Sequence, residues 1–400
     1  MKNLLLCALT LLFLTAPLAY ADVKFAPYYS LQADEGVAIP SAGDWMFVLN
    51  LTNDLGLMAQ INDSQKIVGF YELKYTGPGL RRNEGEQFTD RTLDHIVVLR
   101  DQWAMPWWDL TLKTQVDDMT EYRRTGANEA WGSGLYDFYR QGIGFILEKK
   151  MNDKLAYGVG LQYHTLEFPN YSDLYSEWKL GGSNIDASTG KQNQNVVQLG
   201  ASAKYGNTKL SFDFTNMAYT KQKVVIASAQ SDGSYYSNDL QNDKVYTFTL
   251  EHFQSFAGVK FLPSLSYKIK DSNQNYQLIS GSSSLPVQFV EGYYNYTETD
   301  FVLPVIFPMS SRWSFSFTPE WDDKRYLSRP PMDSNYQFVS GTQENFLSIY
   351  TTAFSYQPNP VMRIIFFYTF QSQSSNMHFE KYLPYNYDGH YMGVSFNYTY

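Results

Sequence analysis

The last stretch of the chain limits its fold more than any other. Between His390 and Tyr400, Val394, Phe396, Tyr398 and Tyr400 alternate with Gly393, Ser395, Asn397 and Thr399, and the final residue is aromatic. Side chains on a strand point alternately to opposite faces, so strict alternation makes one apolar face and one small polar face. Such a strand needs an apolar medium on one side and water on the other. A soluble all-β domain supplies these with a core and a surface, and a membrane barrel supplies them with lipid and a lumen.

The pattern recurs upstream. Trp45, Phe47, Leu49 and Leu51 share a face, and Ile67, Tyr71, Leu73 and Tyr75 oppose Glu72 and Lys74. Leu110, Leu112, Thr114 and Val116 oppose Thr111, Lys113, Gln115 and Asp117. Tyr139, Ile143, Phe145 and Leu147 oppose Arg140, Gly142, Gly144 and Glu148. Short turns such as Asn62–Gln65, Met105–Trp107, Met151–Lys154, Gly206–Asn207, Ala257–Gly258 and Gln357–Pro360 alternate with long polar segments at 77–94, 169–192, 220–243, 271–286, 326–343 and 374–389. A sandwich has no reason to sort its connections in this way, whereas membrane barrels carry short turns at one end and long loops at the other. No apolar run in the chain after residue 21 approaches the roughly 18 residues of a membrane helix. The longest uncharged one, Phe301–Met309, holds two prolines. Aromatic residues make up 17% of the chain and tyrosine alone counts 33, which suits a sheet wetted by lipid on one face and water on the other. Paired tryptophans at the turn formed by Met105, Pro106 and Trp107, beside Trp103 and Trp108, suit an interfacial girdle.

On these residues the chain resembles bacterial outer-membrane β-barrel proteins, a porin-like class whose C-terminal strand also ends in an aromatic residue. The resemblance implies an all-β fold: a transmembrane antiparallel up-and-down β-barrel with short periplasmic turns and long extracellular loops. It also implies an integral place in the outer membrane of a Gram-negative bacterium, with lipid and lipopolysaccharide around it. The barrel-assembly machinery would engage the C-terminal strand. A homo-oligomer is a further implication, since many porins are trimers.

Fourteen strands can be placed from Lys66 to the end, and the run Asp44–Ile61 adds one. An even count needs a further strand at Lys24–Gln32, which Pro27 interrupts. The expected count is sixteen, or fourteen if residues 22–43 form an arm or small plug. Lys2, the apolar run Leu4–Leu14 and Ala19-Tyr20-Ala21 read as a cleaved secretory signal over residues 1–21, ahead of a single barrel domain at 22–400. Cys7, the one cysteine, lies inside that signal. Losing Lys2 takes the formal charge from -9 to -10, which disfavours nucleic acid as a partner.

Charged residues on the polar faces belong inside a barrel, because an Arg or Lys in mid-bilayer costs about 2–4 kcal/mol. The candidate lumen-lining residues are Lys113, Arg140, Lys204, Lys209, Asp213, Lys268, Glu320 and Arg363, with Lys260, Glu72, Glu251 and Asp322 beside them. Both signs occur, so neither ion preference follows. Arg123 and Arg124 at a strand end suggest contact with lipopolysaccharide phosphates. Asp232, Asp239 and Asp243 lack the spacing of a calcium loop, so no metal is expected. No histidine is followed two residues later by serine, and the adjacent pairs Asp94-His95, Asp117-Asp118 and Asp322-Asp323 point to opposite faces. The expectation is therefore a barrel without enzymatic activity or cofactor, a passive diffusion channel for small hydrophilic solutes. The alternatives are a hydrophobic-substrate transporter or a non-conducting surface barrel.

Overall fold

The computed structural model describes residues 23–41, 45–77, 91–125, 130–183, 185–278, 288–380 and 384–400. The signal expected at residues 1–21 lies outside them. One antiparallel sheet of nineteen segments dominates. These make sixteen staves, because three staves are each broken once. The first nine are β1 (Lys24–Pro40), β2 (Met46–Asn62), β3 (Gln65–Gly77), β4 (Arg91–Met105), β5 (Leu110–Arg124), β6 (Phe138–Lys150), β7 (Leu155–Glu167), β8 (Gln194–Tyr205) and β9 (Thr208–Val225). The broken staves are β10 (Tyr236–His252 with Gln254–Phe256), β11 (Val259–Phe261 with Ser264–Ser272) and β12 (Tyr296–Val302 with Val305–Pro308). The last four are β13 (Trp313–Tyr326), β14 (Glu344–Asn359), β15 (Met362–Ser375) and β16 (Tyr387–Thr399).

Each stave pairs with the next, and β1 closes the ring by pairing with β16 from Ser30↔Thr399 to Pro40↔Gly389. Residues 24–40 are therefore a full strand, and the alternative of an arm or plug with fourteen strands does not apply. Pro27 fits because of where β16 ends. Pairing of β1 with β16 starts only at Ser30, and Tyr29 N–H and Tyr400 C=O exchange the last bond at 3.0 Å. Pro27 thus sits beyond its neighbour's end, where no donor is required. The breaks in β11 and β12 fall at Pro263 and Pro304, which have no N–H to give. Adjacent residues keep the ladder joined: His252 N donates to Pro263 O, Leu262 N to Pro304 O and Leu303 N to Pro319 O, each at 3.0 Å.

Several boundaries differ from the sequence reading. β4 starts at Arg91, within the expected 77–94 loop, and the turn before β5 is a 3-10 helix, Pro106–Trp108. The expected loop at 220–243 is largely strand, since β9 runs to Val225 and β10 starts at Tyr236. Within the expected 271–286 loop, Tyr276–Leu278 is a short strand that pairs with Gln288–Val290 as a separate two-stranded sheet. The 169–192 segment holds a helix, α1 (Leu174–Leu180), capped by Asp173, whose carboxylate accepts from Ser176 N at 3.0 Å.

The apolar faces point outward. Leu55, Val159 and Phe366 are each at least half exposed, although they lie inside long strands. That is the reverse of a soluble domain and the requirement of a bilayer. Phe212 lies against Phe248 at 4.9 Å, and Phe315 against Phe354 at 5.0 Å, as cross-strand pairs on this outer face. Trp107 and Trp108 are 93% and 64% exposed at the turn end, so they form a rim and no core cluster.

The seam between β1 and β16 depends on two facing glycines. A Cβ on Gly393 would sit 2.4 Å from Glu35 O and 2.8 Å from Gly36 Cα. A Cβ on Gly36 would meet Met392 O and the Tyr391 ring, both at 2.6 Å. Gly393→Val should therefore lower stability by about 1–3 kcal/mol through overpacking. The expected readout is a lower temperature for loss of the heat-modifiable, folded gel band. Wild-type behaviour would show that the seam can relax.

Candidate functional site

The site is the inner wall and the loop-bearing mouth above it. Inward residues follow from register. Asp117 pairs with Gly142, Lys113 with Ile146 and Glu121 with Phe138, all on the face opposite the exposed Ile143, Phe145 and Leu147. The same parity, carried around the ring, puts Lys113, Arg140, Lys204, Lys209, Asp213, Lys268, Glu320 and Arg363 on the inner face. The structure does not gather them into one cluster. Lys113 pairs with Glu148 at 2.7 Å, Arg140 with Asp117 at 3.0 Å and Lys209 with Glu251 at 2.9 Å. Arg363 donates to Ser355 Oγ. Lys268 contacts Glu298, which also holds Lys324 at 3.2 Å, so these strands carry charges of alternating sign. Lys204 lies opposite Lys209. Asp213 lines a trough of about 420 Å³ whose floor includes Gly158, Gly160 and Gly200.

Register also sorts the charges by height, which no single strand reveals. Near the turn end the inner face carries Lys24, Lys66, Arg100 and Lys113 on one side, and Lys204, Lys209, Lys260 and Arg363 around the rest. Glu148 and Glu251 there are already paired with lysines. Midway and above, acids dominate. Asp54 faces Glu72, and Asp94 faces Glu121. Asp300 faces Asp322 with Glu320 beside them, on strands across the ring from the first group. The wall therefore runs from basic to acidic along its axis.

The adjacent pairs diverge as strand geometry demands. Asp94 faces in, while His95 faces out and its Nδ1 meets Tyr71 Oη at 2.6 Å. Asp117 faces in and Asp118 out, where Gln141 Nε2 donates to it at 2.8 Å. Arg123 and Arg124 also diverge. Arg123 lies over the Tyr136 ring at 5.6 Å on the inner side, and Arg124 over Trp131 at 5.3 Å, so only one of the two faces the bilayer side. Among the described residues no three His, Cys, Asp or Glu side chains group as a metal site.

The loop end has small cores of its own. Leu180, Val225 and Tyr236 pack together with Phe289, and Leu278, Met332 and Met377 pack beneath Tyr336, Phe338 and Phe379. A buried ion pair ties the α1 segment: Lys191 binds Glu177, whose second oxygen accepts from Asp186 N at 3.0 Å. Between these loops and the inner face of β9–β11 lies a cavity of about 400 Å³. Tyr171, Tyr276 and Tyr294 line it, and burial pushes each phenol above its ordinary pKa, so all stay protonated. This mouth leaves no periodic signal in the sequence, because polar loops carry none. The density of tyrosine and glutamine was the only signal.

No family model matches the chain, and no curated protein does. Among solved structures it is similar to CdiB from Acinetobacter baumannii, with a TM-score of 0.50 and 10% identity over 94% of this chain and 60% of that one. It is also similar to a loop-deletion mutant of the Vibrio cholerae outer membrane protein OmpT, with a TM-score of 0.47 and 10% identity over 95% and 100%. An anion-selective porin from Comamonas acidovorans gives 0.46 and 9% over 95% and 100%. Such likeness concerns the fold alone.

Lys191→Met should leave Glu177 buried without its counter-charge, a local penalty of about 3–5 kcal/mol. Limited proteolysis should then cut within 169–192 while the barrel keeps its folded mobility. Unchanged protection would mean that the loop cores alone hold this segment. With sixteen closed staves, apolar outside and charged inside, the chain is an integral β-barrel of the outer-membrane type.

Proposed function

We propose that the barrel is a passive diffusion channel for small hydrophilic solutes, with the turns on the periplasmic side and the loops outside. The observation that carries this reading is the set of polar and charged side chains that register places on the inner face all around the sixteen staves. Rings of this size leave an aqueous passage, whereas about eight strands are filled by side chains. Selection would be by width and wall charge, with no covalent step and no cofactor. A hydrophobic-substrate transporter would want an apolar inner path, and lysine-carboxylate pairs on the wall argue against one.

The outer surface favours a homo-oligomer. On β1–β6 the outward face holds Asn53 Nδ2 donating to Tyr29 Oη at 3.0 Å, Tyr71 with His95, and Gln141 with Asp118. Beside them Gly69 leaves a notch between Leu57 and Val97. Polar pairs at this depth cost less against a second copy than against lipid.

Planar-bilayer recording of the purified protein tests the channel. Stable open steps are expected. Because bases lie at one end and acids beyond, current should rectify with the sign of the voltage. Lys113→Glu and Arg140→Glu should each shift the reversal potential toward cation preference in a salt gradient. Absent steps would remove the channel, and unchanged potentials would take those two residues out of its path.

A further inference from the structure

The geometry points to a binding site for a neutral saccharide in the tyrosine-lined cavity at the loop-end mouth, built around Gln277. The cavity sits where a solute would enter, so the inference gives a substrate class to the channel proposed above.

Most polar groups of the lining are already committed. Gln274 Nε2 donates to Lys223 O at 3.0 Å and to Gln241 Oε1 at 3.1 Å, and its Oε1 accepts from Val225 N at 2.9 Å. Gln241 Nε2 donates to Asp243 Oδ1 at 3.1 Å, and Lys270 pairs with Asp243 at 2.9 Å. Asp173 is spent as the cap of α1, and Lys179 lies 4.4 Å from the Trp178 ring.

Gln277 is the exception. It lines the cavity, it is only 5% exposed, and neither its Nε2 nor its Oε1 has a partner. A buried amide left with both ends unmade is costly, and it is expected to find its partner in a ligand or water. An amide offers a donor and an acceptor side by side. Adjacent hydroxyls on a sugar ring, each able to donate and accept, match that pair. Tyrosine supplies the rest of the fit: a flat apolar face for the C–H side of the ring and a hydroxyl at the rim. Tyr276 is held for this role by stacking on Tyr293 at 4.4 Å and by its hydroxyl contact with Tyr336 at 3.1 Å. Tyr175 lines the cavity from α1 and is 68% exposed. The charged groups of the lining named here are capped, paired or stacked, so a neutral ligand fits better than an ionic one. The volume falls within the range of small-molecule pockets, about 300–1,000 Å³.

The test is equilibrium titration of the detergent-folded full chain with glucose and maltose, and separately with uridine and inorganic phosphate. Saccharide binding to the wild type is expected, weakened at least about tenfold in Gln277→Leu. Tyr175→Ala, on an exposed helix position, should weaken it as well and serves if the first variant does not fold. No saccharide binding, equal affinity in the variants, or occupation by uridine or phosphate in place of sugar would overturn the site. The readout needs no conduction, so a barrel that binds saccharide without open steps would lose the channel and keep the site.

Discussion

Every backbone N–H and C=O that enters hydrocarbon must have a partner, and the pairing of β1 with β16 completes that condition for this chain. An open edge would present a row of bare donors and acceptors to lipid, each costing several kcal/mol. Closure explains features that look irregular in isolation. Pro27 is tolerated because its neighbour has ended. Gly36 and Gly393 face each other because the last pairing brings two backbones together over the bulk of Tyr391 and Phe367. The breaks at Pro263 and Pro304 survive because Leu262 and Leu303 carry the hydrogen bonds across adjacent staves.

Closure also dictates where charge can go. Once the ring is sealed, a side chain has only two environments, and only one of them contains water. Asp54, Glu72, Asp300 and Asp322 therefore face in, even though cross-strand placement sets like charges against each other. Lys74 beside Glu72 at 2.6 Å, and Lys268 and Lys324 around Glu298, offset part of that repulsion. The acids Asp300 and Asp322 each keep an oxygen without a partner, so the repulsion is not fully relieved. That residual field faces the interior of the ring, where a mobile cation can answer it.

How much of this was legible in the sequence depends on which physical rule wrote it. Alternation is local, so the faces of β5, β6 and β16 could be read residue by residue, and the inward side of Lys113 or Arg140 followed. Strand number needed a parity argument about Pro27 that only the end of β16 explains. The height of a charge along the wall depends on register with strands far away in sequence. Lys24 and Arg363 belong to one end and Asp54 and Asp322 to the middle, and nothing near any of them in the chain says so. The outward Asp118 broke the simple rule that carboxylates face water, and its partner Gln141 lies on the next strand. The loops were least legible. Phe289 lies in the short strand Gln288–Val290 outside the barrel sheet and packs against the cluster of Leu180, Val225 and Tyr236, a contact no local pattern announces.

Tyrosine shows why composition could not separate wall from mouth. Tyr157, Tyr163, Tyr205 and Tyr368 stand exposed on the outer surface, where an aromatic body meets lipid and a hydroxyl reaches the polar rim. Tyr293 is buried in the loops, stacked on Tyr276, beneath the Arg329 guanidinium at 4.6 Å. The same side chain serves both because it is apolar across its face and polar at one tip. A barrel rich in tyrosine thus follows from bilayer physics alone, but a cluster of tyrosines facing buried amides does not. The belt needs no Gln277, and the loop cores of Leu278, Met332 and Met377 would pack as well with an apolar residue in its place. An orphaned amide kept among aromatic rings is a cost that folding does not require, and it is therefore better explained by what enters the mouth than by what holds it together.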